Sequence, residues 1–176
     1  MDGLVELVDA DGRGISKEQV TTSHRHPAMR HRAFSAVLHD GAGSILLQTR
    51  AAGKERWPGF VANSTCGHPN SARTLVDDCA RRIHEELGCD VEGLVEVGHF
   101  EYRAACLRGW LEWEFDHVLV GRVVSELRPN PEEIAEVHWI DHWPVDGLRP
   151  LVPWVGQALE IALPHVPHTT DESVSK

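Results

Sequence analysis

Gly67-His68-Pro69-Asn70-Ser71-Ala72-Arg73-Thr74-Leu75-Val76-Asp77-Asp78-Cys79-Ala80-Arg81-Arg82-Ile83-His84-Glu85-Glu86-Leu87-Gly88-Cys89 is the stretch on which the fold turns. Its apolar positions, Ala72, Leu75, Val76, Cys79, Ala80, Ile83 and Leu87, recur at helical spacing. Ser71 is placed to cap the start, and Gly88 to end the helix. The opposite face carries Arg73, Asp77, Arg81, Arg82, Glu85 and Glu86. Immediately upstream, Trp57-Pro58-Gly59 and Asn63-Ser64-Thr65-Cys66-Gly67-His68-Pro69 set a thiol and an imidazole two residues apart between Pro-marked turns. Rigid turns around reactive side chains hold those side chains in fixed positions, so this segment reads as the floor of an active site.

Working outward, Ala33–Leu38 and Ser44–Thr49 flank Asp40-Gly41-Ala42-Gly43, the pattern of a hairpin. Before it lie a short strand at Leu4–Val8, a turn at 9–14, and an aperiodic, imidazole-rich loop at 21–31. After the helix, Val91–Tyr102 and Gly109–Val123 read as strands. In the second of these, a period of two places Glu112, Glu114 and Asp116 on one face and Trp113, Phe115 and His117 on the other. Pro129 to Glu133 breaks the sheet, Glu136–Ile140 returns as a strand, and Val152–Leu163 has helical spacing with Pro153 near its start. Residues 1–163 are expected to form a single domain, and residues 164–176 a polar, disordered tail.

The totals narrow the function classes. A chain of 176 residues, 41% hydrophobic and 25% charged, can bury a core without disulfides or a structural metal. A net charge of −10 argues against a nucleic-acid binder, which needs a clustered basic face. An anionic small molecule needs only a few well-placed cations and stays open. No apolar run approaches the roughly 20 residues of a membrane span, and the N-terminus lacks a signal-peptide pattern, so a cytoplasmic protein is expected. The four cysteines, Cys66, Cys79, Cys89 and Cys106, form no C-x-x-C pair. Twelve histidines stand against one tyrosine.

From Gly67 through Cys89 the chain is similar, without a gap, to the Nudix motif G-x5-E-x7-R-E-U-x-E-E-x-G-U, in which U is apolar. Arg73 and Arg82 stand where that motif has glutamates, so the resemblance implies the fold, a mixed-sheet α/β/α sandwich, more strongly than it implies hydrolysis. His24 and His31, Arg50, Lys54, Trp57-Pro58-Gly59, the segment Asn63 to Pro69, Tyr102 and Glu112-Trp113-Glu114 together resemble the type I isopentenyl-diphosphate Δ-isomerase branch of that superfamily. The match spans about residues 24–154.

Three imidazoles, His24, His31 and His68, with the same-face carboxylates Glu112 and Glu114, are a mixed N/O donor set. It suits Zn²⁺, Mn²⁺ or Fe²⁺ better than Ca²⁺. The resemblance implies that these five hold one such ion, with His26 either a bystander or a donor behind the ligands. It further implies that Cys66 and Glu114 transfer protons to and from an alkene, and that Tyr102 and Trp154 face the carbocation so formed, with Trp57 nearby. Arg50, Lys54 and Arg82 match positions for the diphosphate; Glu86, with the main-chain oxygen of Cys66, matches a Mg²⁺ site on it. Lys17 is the nearest basic residue for a further N-terminal phosphate contact. The expected activity is interconversion of isopentenyl and dimethylallyl diphosphate in isoprenoid biosynthesis, with no nucleic acid or membrane as partner. A Nudix hydrolase of a nucleoside or other diphosphate, and a non-enzymatic metal-binding module, are the alternatives.

Overall fold

A computed structural model describes residues 3–69 and 73–167. Nine strands and three helices follow in the order β1 (Leu4–Val8), β2 (Gly14–Gln19), α1 (Val20–Ser23), β3 (His31–His39), β4 (Ile45–Arg50), β5 (Val61–Asn63), β6 (Thr65–Gly67), α2 (Leu75–Leu87), β7 (Val91–Ala105), β8 (Leu111–Val123), β9 (Ile134–Ile140) and α3 (Val155–Ala162). They build one mixed, branching sheet around β3. Along one edge β3 runs parallel to β8, from His31 opposite Glu114 to His39 opposite Arg122. Its other edge is shared. β1 pairs at His31, β6 at Phe34 to Ala36, and β4 at Leu38 and His39. The crossing of β6 at mid-strand puts Cys66 directly beside Ser35.

The alternation of β3 explains the two layers. Phe34, Ala36 and Leu38 point one way and pack with Cys79, Ile83 and Leu87 of α2. Those three helix residues, four apart, are fully buried, and burial of Ile or Leu stabilises by about 1.5–3 kcal/mol each. Val37 points the other way, into a core shared with Val155, Ala158, Leu159 and Ala162 of α3. The expected α/β/α sandwich, as one domain, is therefore what forms.

Several boundaries differ from those expected: Val20–Ser23 forms α1 where the imidazole-rich loop is expected to begin, β7 extends to Ala105, β8 starts at Leu111, β9 at Ile134 and α3 at Val155. The cap of α2 is Thr74, whose hydroxyl accepts from the Asp77 N–H at 3.1 Å, and the helix begins at Leu75. The expected cap, Ser71, lies outside the described residues. Gly88 ends the helix as expected, with φ 62°; a Cβ there would lie 2.5 Å from the Arg128 carbonyl oxygen. At the other end, Leu163–His165 continues as a 3₁₀ turn and Val166 is buried in the α3 core. The chain thus stays packed past the expected boundary at 163. Residues 168–176 of the expected tail lie outside the described residues. Among the described residues no helix is long and apolar enough to cross a membrane.

Candidate active site

The same alternation builds the site. On β8, Glu112, Glu114 and Asp116 share a face with Val118 and Val120, which lie in the α3 core. One strand face therefore changes from core at one end to carboxylates at the other. His31 begins β3 opposite Glu114, and His24 arrives from the end of α1. His68 follows directly after β6.

His24, His31, His68 and Glu114 bring one donor atom each to within 4.8 Å of one another. Glu114 Oε1 lies 3.1 Å from His68 Nε2, 3.4 Å from His31 Nε2 and 3.6 Å from His24 Nε2. The other nitrogens of two rings are committed: His24 Nδ1 faces the Val20 carbonyl at 2.7 Å, and His31 Nδ1 the Met29 carbonyl at 2.8 Å. Those Nδ1 atoms must donate, which leaves the Nε2 atoms facing inward as the ones able to bind a metal. Glu112 Oε2 lies 2.9 Å from His24 Nε2, yet both buried atoms lack a hydrogen bond. Converging lone pairs around one buried carboxylate are what a divalent cation would satisfy: His24, His31, His68 and Glu114 group for it, and Glu112 lies outside that group, beside His24.

Charges follow from these contacts. Burial acts against a charge on His24, but the Glu112 and Glu114 carboxylates outweigh it and raise its pKa to about 9. Burial dominates at His68 and lowers its pKa to about 3 despite Glu114. Burial would raise Glu114, yet the imidazoles of His24, His31 and His68 beside it hold it well below the usual range. Burial pushes the Cys66 thiol up to about 11, against the pull of Arg50. At neutral pH the pair is therefore a thiol and a carboxylate.

Both line one cavity of about 510 Å³, together with Tyr102, Trp154, Trp57, Arg50, Lys54, Arg82 and Glu86. The Tyr102 hydroxyl donates to Glu114 Oε2 at 2.7 Å. Burial, then the Glu114 charge, keeps that phenol well above its usual pKa, so it stays a donor. The Tyr102 and Trp154 rings lie 5.4 Å apart, and the Trp154 indole N–H donates to Asn63 Oδ1 at 3.0 Å. Trp57 adopts φ 53°, unfavourable for a bulky residue. Its backbone N–H donates to Cys106 Sγ and its indole N–H to Glu112 Oε1, each at 3.3 Å. Gly3, Leu4 and Val20 of the N-terminal hairpin and α1 complete the wall.

The predicted cations are present but engaged. Arg50 Nη1 donates to Cys66 Sγ at 3.8 Å, Lys54 pairs with Glu133, and Arg82 pairs with Glu86. Glu86 accepts from the Thr65 hydroxyl as well, so a Mg²⁺ ion would have to take the place of Arg82. His26 is exposed on the wall of a separate cleft with Pro27 and Trp113, away from the imidazole cluster. Lys17 is exposed on β2 and lines a neighbouring groove beside His68. Arg25 and Arg30 sit over indoles: Arg25 is 3.8 Å from the Trp110 ring centre, and Arg30 is 5.1 Å from that of Trp113.

Two side chains at the site were not singled out by sequence. Arg56 lines the cavity 3.6 Å from Glu112 Oε2. Buried Asp116 accepts from the Ser35 hydroxyl at 2.7 Å, with its other oxygen unpartnered. Asp116 was legible as a same-face neighbour of Glu114; the direction taken by Arg56 had no local signal.

The NUDIX domain model matches residues 29–159. A MutT NUDIX hydrolase structure from Burkholderia pseudomallei superposes with TM-score 0.61 at 22% identity, covering 75% of this chain and 97% of that one. The fold is thus that of the Nudix superfamily. Within it, the isopentenyl-diphosphate Delta-isomerase of Nocardia farcinica is 43% identical over 166 residues, 90% of this chain and 93% of its own. That of Streptomyces avermitilis is 38% identical over 97% of this chain and 88% of its own. The chain belongs to the isopentenyl-diphosphate Δ-isomerase family.

Proposed function

We propose that the chain interconverts isopentenyl and dimethylallyl diphosphate, with Cys66 and Glu114 exchanging the protons. The observation that carries this reading is that Cys66 and Glu114 line one cavity with Tyr102 and Trp154; burial favours the thiol at Cys66, and the imidazoles favour the carboxylate at Glu114. The thiol gives its proton to the terminal alkene carbon. Glu114 removes one from the carbon on the far side of the resulting cation, so the double bond moves and substrate and product are isomers. Tyr102 and Trp154 present ring faces to that cation, and Leu4 and Val20 help exclude water.

Arg50, Lys54 and Arg82 bind the diphosphate, Arg82 leaving Glu86 to do so. A Mn²⁺, Zn²⁺ or Fe²⁺ ion on His24, His31, His68, Glu112 and Glu114 would supply the charge that keeps Glu114 ionised and fixed. Glu86 and the main-chain oxygen of Cys66 would hold Mg²⁺ carried in with the diphosphate. The missing acidic positions at Arg73 and Arg82 weigh against the hydrolase alternative. The setting proposed is cytoplasmic isoprenoid biosynthesis.

The decisive experiment incubates isopentenyl diphosphate with the protein and Mg²⁺ in D₂O. Deuterium should enter substrate and product with the native chain and should fall by at least about a hundredfold with Cys66→Ala. No deuterium with the native chain, or an undiminished rate with Cys66→Ala, would refute the assignment.

A further inference from the structure

We infer that Arg56 competes with the metal ion for Glu112, so that metal binding releases a guanidinium into the diphosphate end of the cavity. Glu112 Oε2 faces two partners at once. His24 Nε2 is 2.9 Å away and Arg56 Nη1 is 3.6 Å away, and the geometry makes a hydrogen bond to neither. The other oxygen of Glu112 is held by the Trp57 indole at 3.3 Å, so the carboxylate cannot turn to serve both. Arg56 Nη1 is buried and makes no hydrogen bond. The guanidinium rests on its charge contact with Glu112 and on the Trp110 ring, 5.9 Å from its centre, and a divalent ion drawn to Glu112 repels it.

The backbone places Arg56 beside the anion site. The Arg56 carbonyl oxygen accepts from Arg50 Nε at 3.3 Å and Nη2 at 3.1 Å, which anchors the main chain beside Arg50. Arg50 and Lys54, the cations assigned to the diphosphate, line the same cavity. One residue thereby links two sites. The metal binds less tightly than its donor set would allow, and an anion that captures Arg56 restores part of that affinity. By linkage, the metal strengthens anion binding by the same factor.

The inference rests on the metal reading above, and the test separates the two. Co²⁺ binding is followed by its visible absorption in the native chain, Arg56→Gln, Glu112→Gln and the double variant, with His68→Ala as the site control. Arg56→Gln should bind Co²⁺ at least about tenfold more tightly, since opposed charges a few ångströms apart interact by more than the energy of one decade. In the Glu112→Gln background the same change should have a clearly smaller effect, because the competition for Glu112 is gone, which a merely structural role for Arg56 would not produce. In the unaltered protein, the Arg56 guanidinium NMR signal should shift when Zn²⁺ is added. This measurement decides the matter if the Gln variant fails to fold. Equal Co²⁺ affinity in native and Arg56→Gln chains, or an unmoved Arg56 signal, overturns the inference while leaving the metal site standing. If the native chain binds no Co²⁺ that His68→Ala abolishes, the metal reading falls, and this inference with it.

Discussion

Tyr102→Phe isolates one atom of the site. The change deletes a buried hydroxyl whose assigned partner is Glu114 Oε2, at 2.7 Å, and leaves the ring against Trp154 unchanged in shape. Glu114 Oε1 already faces three imidazoles, so Tyr102 is what orients the second oxygen. A hydrogen bond to a charged group contributes about 1.5–3 kcal/mol, and losing one partner leaves the buried carboxylate oxygen unsatisfied. If that energy appears in the proton-transfer step, turnover falls by roughly 10- to 100-fold. The effect belongs in kcat, because the hydroxyl touches the proton acceptor and not the cations that hold the diphosphate. Steady-state isomerisation at saturating substrate, with metal content checked in parallel, measures it. A kcat within twofold of native in a fully metallated Tyr102→Phe protein would refute the role given to Tyr102.

The remaining expectations are simpler. In metal-free protein, the raised His24 pKa adds stability that is full below about 6.5 and lost as pH rises through about 9. Melting temperatures from pH 6 to 10 should therefore decline across that window and flatten in His24→Ala. Asp116→Asn should stabilise the chain at neutral pH. Burial and then Glu114 hold that carboxyl well above its usual pKa, so its cost to the fold is absent in acid and grows with pH. Equal denaturation midpoints for Asp116→Asn and native protein at pH 8 would count against it. Gly12→Ala should destabilise by about 1–3 kcal/mol in urea melts, because its Cβ would lie 2.6 Å from the Phe115 ring and Gly12 has φ 75°.

What could be read in advance follows from the range of each interaction. Helical spacing from Leu75 to Leu87 and the stop at Gly88 are local, and both form as read. Alternation along residues 112–117 is local too, and it put Glu112, Glu114 and Asp116 on one face. The helix cap moved to Thr74 because side-chain capping depends on where the chain turns into the helix, and several nearby residues can serve. The stacking of Arg25 and Arg30 left no local signal because their partners, Trp110 and Trp113, lie more than eighty residues away.

By itself the sequence determined the helix, the carboxylate face and the set of residue types that could bind a metal and move a proton. Periodicity and turn chemistry act over a few residues, and each leaves its mark there. Tertiary structure alone decided that β6 crosses β3 at Ser35 and so brings Cys66 into the cavity with Glu114. It also decided that Tyr102 donates to Glu114, that Glu86 begins paired to Arg82, and that Arg56 faces Glu112. Those facts depend on strand register and on side-chain directions set by packing across the whole sheet, for which no short stretch of sequence carries a signal.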